Sequence, residues 1–474
     1  MKLKASLHSL YSQLGPGGKR AAELFYSLVP LRWRKKKGFW RYLEFLRKSQ
    51  WKSADWHKEY QTGQLQQLVQ YAKSKSPYYI KLFKEIKCNP SEIKKLSDLK
   101  HLPILSKKTL IENAGLFLPE DFPRRQLVSN STSGSTGEPF KFHLDYYAVM
   151  REEAFTVRHW ENCGMIYGEP TVYLRSFIPK GRQSTYCFDP VNNRHYFSAY
   201  HLDDKNIELY CRKMATSKAR FIFGYPSSLE VLADYILSHN IEIFFEAAIT
   251  GSEMLTDNAR IKIEKALSAK IYDWYGLAEP TAIMGQCPAG SYHIFSEFGI
   301  VELLDANGEP VEEEGEVGRI VGTNFTNRAM PLIRYDTGDL GVFTKKRCSC
   351  GRGLPVSVKS IEGRKDDLLI GSDGQYLPSV NFYSLFANLS GEVSRFQLVQ
   401  RDKNKFILRL VRGAEFSVES VNRIREGLSR RIGESSQIKI ETVDKIMPTR
   451  AGKIRAVVRE YNPISTVKEE QHEN

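Results

Sequence analysis

The stretch that decides the fold covers residues 221–274 and reads FIFGYPSSLEVLADYILSHNIEIFFEAAITGSEMLTDNARIKIEKALSAKIYDW. Three short apolar runs are separated by two longer segments whose apolar residues recur at helical spacing. The runs occupy residues 221–224, 247–250 and 271–274, and the helical segments occupy residues 227–238 and 256–267. Strands that alternate with helices are typical of a mainly parallel sheet covered by helices.

Upstream the same alternation begins at residue 171, and downstream it stops. Residues 299–344 hold short strands between turns rich in Asp, Asn and Gly, as in an antiparallel sheet or a small barrel. From residue 366 a few strands and one helix form a compact α+β unit. We expect a large α/β domain with mainly parallel sheets and a small β-barrel-like subdomain, followed by a small α+β C-terminal domain. The predicted division is a basic aromatic arm (1–55), a large domain (56–365), a small domain (366–462) and a disordered tail (463–474).

Length and composition indicate a folded, multidomain protein of a reducing compartment. The chain has 474 residues, of which 41% are hydrophobic and 26% are charged. No segment reaches the roughly 18 apolar residues of a membrane-spanning helix, and the first ten residues do not resemble a signal peptide. Seven cysteines are too few for a disulfide framework in a chain of this length. We therefore expect a cytoplasmic location.

The positive charge is concentrated at the N-terminus. Residues 1–52 hold 13 Lys and Arg but only two acids, Glu23 and Glu44, so they carry +11 of the net charge of +14. A nucleic-acid partner is disfavoured, because such proteins spread basic residues over the binding face. Basic residues at 32–37 lie among aromatic ones, which would suit peripheral contact with the inner membrane surface. We favour the alternative that this arm is helical and packs its aromatic residues on the main domain.

The first of five notable motifs is a hydroxyl-rich loop, Ser131-Thr132-Ser133-Gly134-Ser135-Thr136-Gly137. Its glycines let a ligand approach the backbone, and its hydroxyls can donate hydrogen bonds to oxyanions. Taken alone, the loop also fits a plain linker. The other four motifs are YDWYGLAEP (272–280), RYDTGDL (334–340), IEGRKDD (361–367) and MPTRAGKI (447–454).

In this order, the five motifs resemble those of the adenylate-forming superfamily, which includes acyl-CoA ligases, luciferases and peptide-synthetase adenylation domains. The resemblance runs from about residue 55 to residue 460. It is stronger to phenylacetate-CoA ligase-like enzymes and to CapK-type proteins encoded with capsular polysaccharide genes. The latter similarity rests on FGYPS (223–227), RYDTGD (334–339) and CSCGR (348–352).

The resemblance implies a role for each motif. Glu279 would bind Mg²⁺ at the phosphates of ATP, Asp339 would accept hydrogen bonds from the ribose, and Lys453 would reach the carboxylate and the α-phosphate from a mobile small domain. Asp366 would be the hinge of that domain. The remaining ATP-binding residues would be the phosphate loop Ser131, Thr132, Ser133, Gly134, Ser135, Thr136 and Gly137, the adenine pocket Gly251, Ser252, Glu253, Trp274, Tyr275, Gly276 and Leu277, and the supporting Arg364.

One position departs from the family pattern. Many relatives carry a lysine beside the proline of the phosphate loop, whereas this chain has Glu138 before Pro139. Lys141 is close in sequence and would compensate for the missing charge.

A metal site is indicated by the spacing of four residues: Cys287, His293, Cys348 and Cys350. One imidazole and three thiolates form a tetrahedral ligand set for structural Zn²⁺. The bare pattern also fits ordinary thiols. The resemblance favours zinc, because some phenylacetate-CoA ligase-like proteins carry it at similar positions.

The function implied is ATP-dependent activation of a small carboxylic acid as an acyl-adenylate, followed by transfer to CoA, in a pathway such as surface polysaccharide synthesis. One alternative is a ligase that passes the acyl group to an amine or hydroxyl of a sugar or amino acid without CoA. Another is a non-catalytic nucleotide-binding scaffold at the membrane.

Overall fold

The computed structural model describes residues 14–131, 141–175, 185–364, 369–370, 376–377, 382, 385–386, 389, 391–447 and 454–460. Within these ranges no helix combines the length and the apolar character needed to cross a lipid bilayer.

A helical segment precedes the first strand. Ser53 accepts a hydrogen bond from the backbone of Trp56 and so caps the longest of its helices, and Pro77 opens the next one. Pro77 therefore marks the break between these two helices. The α-helices of this segment are α1 (Pro16–Ser27), α2 (Leu31–Arg34), α3 (Lys37–Ser49), α4 (Ala54–Lys75), α5 (Pro77–Glu85), α6 (Lys107–Glu112) and α7 (Ala114–Phe117).

An antiparallel hairpin follows, made of β1 (Leu127–Ser131) and β2 (Lys141–Asp145). It leads directly into helix α8 (Tyr146–Asn162), which Asp145 caps by accepting a hydrogen bond from the backbone of Tyr147. Helix α3 packs on α8, and its apolar side chains join one core with those of α8. The aromatic residues of the predicted arm thus divide into packed ones on α3 and exposed ones before and after it, namely Phe25, Tyr26, Trp33 and Trp51.

The central element is an eight-stranded sheet. Its strands are β3 (Thr171–Arg175), β4 (Tyr186–Asp189), β5 (Arg194–Ser198), β6 (Phe221–Gly224), β7 (Ala247–Gly251), β8 (Lys270–Gly276), β9 (Ile283–Gln286) and β10 (Tyr292–Ile294). They lie in the order β10-β9-β8-β7-β6-β3-β5-β4, and the five strands from β8 to β5 in this order are parallel. The connecting helices are α9 (Asp204–Thr216), α10 (Pro226–Ser238) and α11 (Asp257–Leu267). The predicted parallel sheet covered by helices is confirmed.

A second sheet is antiparallel throughout and has four strands in sequence order: β11 (Gly299–Leu304), β12 (Val317–Asn324), β13 (Tyr335–Phe343) and β14 (Val358–Arg364). The turn after β11 is of the kind that the sequence indicates. Asp305 accepts a hydrogen bond from the backbone of Asn307, and Gly308 has a φ of 87°.

The C-terminal part contains the predicted α+β unit. A short pair, β15 (Leu369–Ile370) and β16 (Tyr376–Leu377), precedes β17 (Val393–Asp402), β18 (Lys405–Arg412), α12 (Val418–Ile432), β19 (Gln437–Thr442) and β20 (Val457–Arg459). The last four strands form one sheet in the order β19-β18-β17-β20, and α12 buries Ile424, Leu428 and Ile432 in the core that this sheet covers. The unit therefore has a hydrophobic core of its own.

Candidate active site

The predicted adenine-binding segments lie at the carboxyl ends of two neighbouring parallel strands. Gly251 ends β7 and is the register partner of Trp274 on β8. A Cβ atom on Gly251 would stand 2.7 Å from the carbonyl oxygen of Trp274, so glycine is required for this close approach. Ser252 follows with a φ of 68°, in the left-handed region that non-glycine residues rarely adopt. Ligands of open α/β sheets bind at this edge.

Buried polar groups hold strand β8 in place just before these residues. Asp273 is 4% exposed and accepts hydrogen bonds from the hydroxyls of Thr250 and Tyr292. Burial raises the pKa of the Asp273 carboxyl above its ordinary value, and the two hydroxyl donors oppose this shift. Because three elements meet at one carboxyl group, the backbone of the following residues has little freedom to move.

Trp274 and Tyr275 point to opposite faces of β8. The ring of Trp274 packs beside His159, at 5.1 Å between ring centroids, and beside Phe295, at 5.6 Å. The hydroxyl of Tyr275 instead donates a hydrogen bond of 2.8 Å to Oδ2 of Asp339. Successive residues of a strand alternate between its faces, so the two side chains contact different neighbours, and their role in an adenine pocket stays a prediction.

Asp339 stands on β13 at the end of a tightly ordered turn. The backbone N–H of Gly338 donates to Asp336, and that of Asp339 donates to the hydroxyl of Thr337. Gly338 has a φ of 74°, which explains the glycine of this motif. Asp339 is also the register partner of Arg364 on β14. Two predicted nucleotide-binding positions, 25 residues apart in the chain, are therefore cross-strand neighbours.

Arg334, the first residue of the same motif, is buried and has a structural partner. Its guanidinium makes two contacts with the carboxylate of Glu302, at 3.1 and 3.0 Å, and donates a third hydrogen bond to the carbonyl of Leu102. Burial raises the pKa of Glu302, and the positive charge of Arg334 opposes that shift. The pair joins strands β11 and β13 to the segment before α6.

Glu279 lies in the turn after β8, buried to 5% exposure. It accepts a hydrogen bond of 3.3 Å from the hydroxyl of Tyr335, and the Nζ atom of Lys107 is 3.7 Å from the same carboxylate oxygen. Lys107 begins α6, which an isolated β-bridge between Leu105 and Tyr335 places beside β13. Sequence reasoning missed Lys107, because the contact depends on this bridge.

The phosphate loop itself lies mostly outside the described residues. Ser131 ends β1, and its side chain, like the whole of residues 132–137, is outside them. The hairpin that carries the loop is fixed by Asn327, which donates to the carbonyl of His143 and accepts from the backbone N–H of Asp145. Asp366, Lys453 and the side chain of Arg364 also lie outside the described residues, so their predicted roles stay predictions.

Gly276, Leu277 and Glu253 complete the predicted set. A Cβ atom on Gly276 would stand 3.0 Å from the indole nitrogen of Trp274, and Leu277 packs half-buried near Tyr275. A carboxylate oxygen of Glu253 accepts a hydrogen bond of 3.1 Å from the backbone N–H of Ser227. This bond ties the segment after β7 to the start of α10.

The four predicted metal ligands form one cluster. The ligand atoms of Cys287, His293, Cys348 and Cys350 all lie within 4.8 Å of one another. The sulfur atoms of Cys287 and Cys348 are 3.4 Å apart, and that of Cys350 is 3.2 Å from Nε2 of His293. The other ring nitrogen of His293 donates to the carbonyl of Leu354, which leaves Nε2 for a ligand.

This cysteine–histidine cluster joins two parts of the fold. Cys287 and His293 belong to the β9–β10 hairpin at one edge of the central sheet, whereas Cys348 and Cys350 belong to the connection between β13 and β14. In the same connection, Arg352 donates to the side chain of Gln50, just after α3.

Comparison with known proteins shows what the chain is similar to. Residues 369–460 match the model of the CapK C-terminal domain. Over 407 residues the chain is 25% identical to protein CapK of Staphylococcus aureus. This alignment covers 84% of the chain and 88% of CapK. It is 28% identical over 343 residues to the phenylacetate-coenzyme A ligase of Thermus thermophilus, covering 65% of this chain and 71% of that enzyme.

The chain is similar to CapK and to phenylacetate-CoA ligases over most of its length, and its C-terminal part matches the CapK C-terminal domain. Among solved structures, 2-hydroxyisobutyryl-CoA ligase in the postadenylation state shares the fold of this chain. The TM-score is 0.68 and the identity 19%, and the match covers 89% of this chain and 93% of that one. The structural match confirms the predicted fold class. The relatives confirm the predicted resemblance to CapK and phenylacetate-CoA ligases and the predicted enzyme class of adenylate-forming acid ligase.

Proposed function

We propose that the protein uses ATP to convert a small carboxylic acid into an acyl-adenylate and then transfers the acyl group to CoA. The observation that carries this proposal is the hydrogen bond from Tyr275 to Asp339, which joins two motifs 64 residues apart at the carboxyl edge of the central sheet. Two relatives add support, since one is a phenylacetate-coenzyme A ligase by name and the solved 2-hydroxyisobutyryl-CoA ligase holds an acyl-adenylate.

In the proposed complex, Asp339 accepts hydrogen bonds from the ribose hydroxyls, with Arg364 beside it on the neighbouring strand. The bond from Tyr275 fixes the orientation of the Asp339 carboxylate, and a preoriented acceptor loses less entropy on binding. The adenine lies against the backbone of residues 251–253 and 274–277. Trp274 then faces the acyl side of the site, because its ring lies on the opposite face from Tyr275.

The phosphates of ATP would lie between the phosphate loop, residues 131–137, and Glu279. A buried carboxylate beside a lysine fits Mg²⁺ and phosphate together, because oxygen ligands suit this hard cation. When bound, Mg²⁺ neutralises phosphate charge. Lys107 would bind an outer phosphate, and so it would supply the positive charge that Glu138 does not provide in the loop.

Lys453 would carry out the task at the reacting centre. We place it against the substrate carboxylate and the α-phosphate, where its ammonium group offsets the repulsion between two anions. The small domain, residues 366–462, would act as a lid on the large domain, residues 56–365, and would rotate about Asp366 after adenylation. Withdrawal of Lys453 then opens a path for the thiol of CoA.

The cysteine–histidine cluster would hold a structural Zn²⁺. Neighbouring ligand atoms of tetrahedral zinc with these ligands lie about 3.6–3.8 Å apart, close to the sulfur and nitrogen separations in the cluster. All four positions are supplied by the protein, so zinc would link the β9–β10 hairpin to the β13–β14 connection and would take no part in the reaction.

Similarity to known relatives is the only support for two further features of the proposed function. The similarity to CapK suggests a role in surface polysaccharide synthesis, in the cytoplasm where ATP and CoA are available. The acceptor would then be CoA, or else an amine or hydroxyl of a sugar or amino acid.

One experiment tests the activity and the acceptor together. Purified protein is incubated with ATP, Mg²⁺ and aryl, fatty, hydroxy or amino acids, with and without CoA, and pyrophosphate and acyl products are measured. Acid-dependent pyrophosphate release with a thioester formed only when CoA is added is expected. Release that CoA does not change, together with an amide formed on an added amino sugar or an ester formed on a sugar hydroxyl, would show that the acceptor is the sugar and not CoA. No acid-dependent release across the panel would contradict the proposal.

A further inference from the structure

The N-terminal arm has two halves that differ in burial. Helix α3 buries Phe39, Leu43 and Leu46, none of them more than 1% exposed, in the core that it shares with α8. Helices α1 and α2 leave large apolar side chains in contact with solvent. Phe25 is 74% exposed, and Leu28 and Trp33 are each 77% exposed. Solvent contact of this extent is costly unless another surface covers these side chains.

We define the N-terminal apolar patch as Leu14, Leu24, Phe25, Tyr26, Leu28 and Trp33. These six account for nearly a third of the 20 exposed large hydrophobic residues in the described part of the chain, although they lie within 20 residues of sequence. Leu24 and Phe25 of α1 and Leu28, which caps its C-terminal end, lie at the spacing of one helix face. The patch is therefore a concentrated surface, whereas single exposed residues elsewhere need no explanation.

Hydrogen bonds from α1 and α2 hold the arm on the central sheet. Arg20 of α1 donates a bond of 2.8 Å to the carbonyl of Phe188, and Arg34 of α2 donates to that of Val191. Both acceptors belong to the β4–β5 hairpin at the edge of the central sheet. The arm is thus fixed to the enzyme while Phe25, Leu28 and Trp33 remain exposed.

Positive charge is concentrated next to the patch in the sequence. Arg32, Lys36, Lys37 and Arg41 are exposed, and none of them forms an ion pair with an acid in the part of the chain that the structure describes. Lys36 also lies over the ring of Tyr146 at 4.2 Å, and Tyr146 and Tyr147 are themselves partly exposed. The surface combines unpaired cations with aromatic and aliphatic side chains.

We propose that the N-terminal apolar patch docks on the surface of an anionic lipid bilayer. Phe25 and Leu28 would enter the boundary between headgroups and acyl chains, Trp33 would lie at headgroup level, and the four cations would contact lipid phosphates. Charge favours this occupant over a second copy of the chain, since two copies meeting at the patch would bring like charges together. A nucleic acid would leave the aliphatic side chains uncovered.

The test uses the full chain and unilamellar vesicles, with binding measured by sedimentation. Vesicles of equimolar phosphatidylglycerol and phosphatidylcholine are compared with phosphatidylcholine alone. We expect binding to the anionic vesicles only, and weaker binding as salt is added. The assay needs neither ATP nor an acid, so its outcome is independent of the proposed activity.

Two sets of substitutions locate the contact. Combined F25S, L28S and W33S should weaken vesicle binding about 100-fold, because three apolar side chains no longer leave water. The matched control combines F244S, I261S and V418S, whose side chains are 70, 64 and 74% exposed elsewhere, and should bind like the unchanged protein. Combined K36A and K37A should lower binding about fivefold per charge removed. Pyrophosphate release by the F25S/L28S/W33S protein should be unchanged, which verifies its fold.

Four results would overturn the proposal. The first is absence of binding to anionic vesicles. The second is binding that the F25S/L28S/W33S protein retains, and the third is a dimer in solution that these substitutions dissociate. Binding that begins only when residues 1–13 are deleted would also overturn it, because that segment would then be the occupant of the patch.

Discussion

At the scale of single residues, the proposed reaction depends most on Lys453. Its ammonium group would offset the negative charge of the carboxylate and the α-phosphate as they approach. Replacing Lys453 with alanine should therefore lower carboxylate-dependent exchange of pyrophosphate into ATP by roughly 10²–10³-fold, the range seen when one charge-stabilising donor is removed. Affinity for ATP should change little, because the nucleotide is held by the large domain.

The matched control is Lys445→Ala, an exposed lysine before the same motif that should leave the exchange rate unchanged. An exchange rate in the Lys453→Ala protein close to that of the unchanged protein would contradict the assigned role. Loss of ATP binding together with exchange would mean that Lys453 holds the nucleotide rather than the reacting groups.

Individual site residues were predictable to different degrees. Asp339 and Glu279 stand in motifs whose turn residues are readable in the sequence, and the structure places both at one edge of the central sheet. No sequence pattern indicated that Lys107 belongs to the site. Its approach to Glu279 depends on the pairing of Leu105 with Tyr335, which is distant in the sequence. The opposite directions of Trp274 and Tyr275 could have been foreseen from the period of two in a strand.

At the scale of elements, the cysteine–histidine cluster leads to a prediction about metal removal. Cys350→Ser should lower bound zinc, measured by inductively coupled plasma mass spectrometry, and should lower Tm by about 5 °C or more, because two sheet edges lose their link. Prolonged treatment of the unchanged protein with a chelator should act in the same direction. Cys88→Ser, a half-buried cysteine outside the cluster, is the control. Purified protein without stoichiometric zinc, and a Tm that Cys350→Ser leaves unaltered, would contradict this prediction.

The strands of the fold were predictable from the sequence where they are buried on both faces. Strands β6, β7 and β8 are apolar on both faces because helices cover both sides of the sheet, and their runs stand out in the sequence. The β4–β5 hairpin was missed. Its strand β4 lies at the sheet edge and is only half-buried along its whole length, so YCFD carries no clear alternation. Edge strands of this kind are specified by their neighbours rather than by their own pattern.

At the scale of the whole molecule, the large and small units meet at an ion pair. Arg395 of β17 lies 3.3 Å from Asp234 of α10, and Asp234 also contacts Lys262 of α11 at 2.9 Å. The Arg395 side chain is 18% exposed and that of Asp234 is 41% exposed. A partly exposed ion pair stabilises a structure by only about 0–1 kcal/mol. Because this pair joins the two units, its free energy favours one relative position of the units.

This pair provides a test of the proposed lid rotation. If the small domain turns about Asp366 between the two half-reactions, the pair exists in one orientation and stabilises that orientation alone. Arg395→Gln should then slow one half-reaction by up to about fivefold, the factor that corresponds to 1 kcal/mol, and should leave the other unchanged or faster. Adenylation is measured by pyrophosphate exchange, and thioester formation from preformed adenylate in a single turnover. Arg401→Gln, whose partner Glu460 belongs to the same unit, should alter neither rate. Equal slowing of both half-reactions by Arg395→Gln would mean that the pair supports the fold and that the two steps share one arrangement of the units.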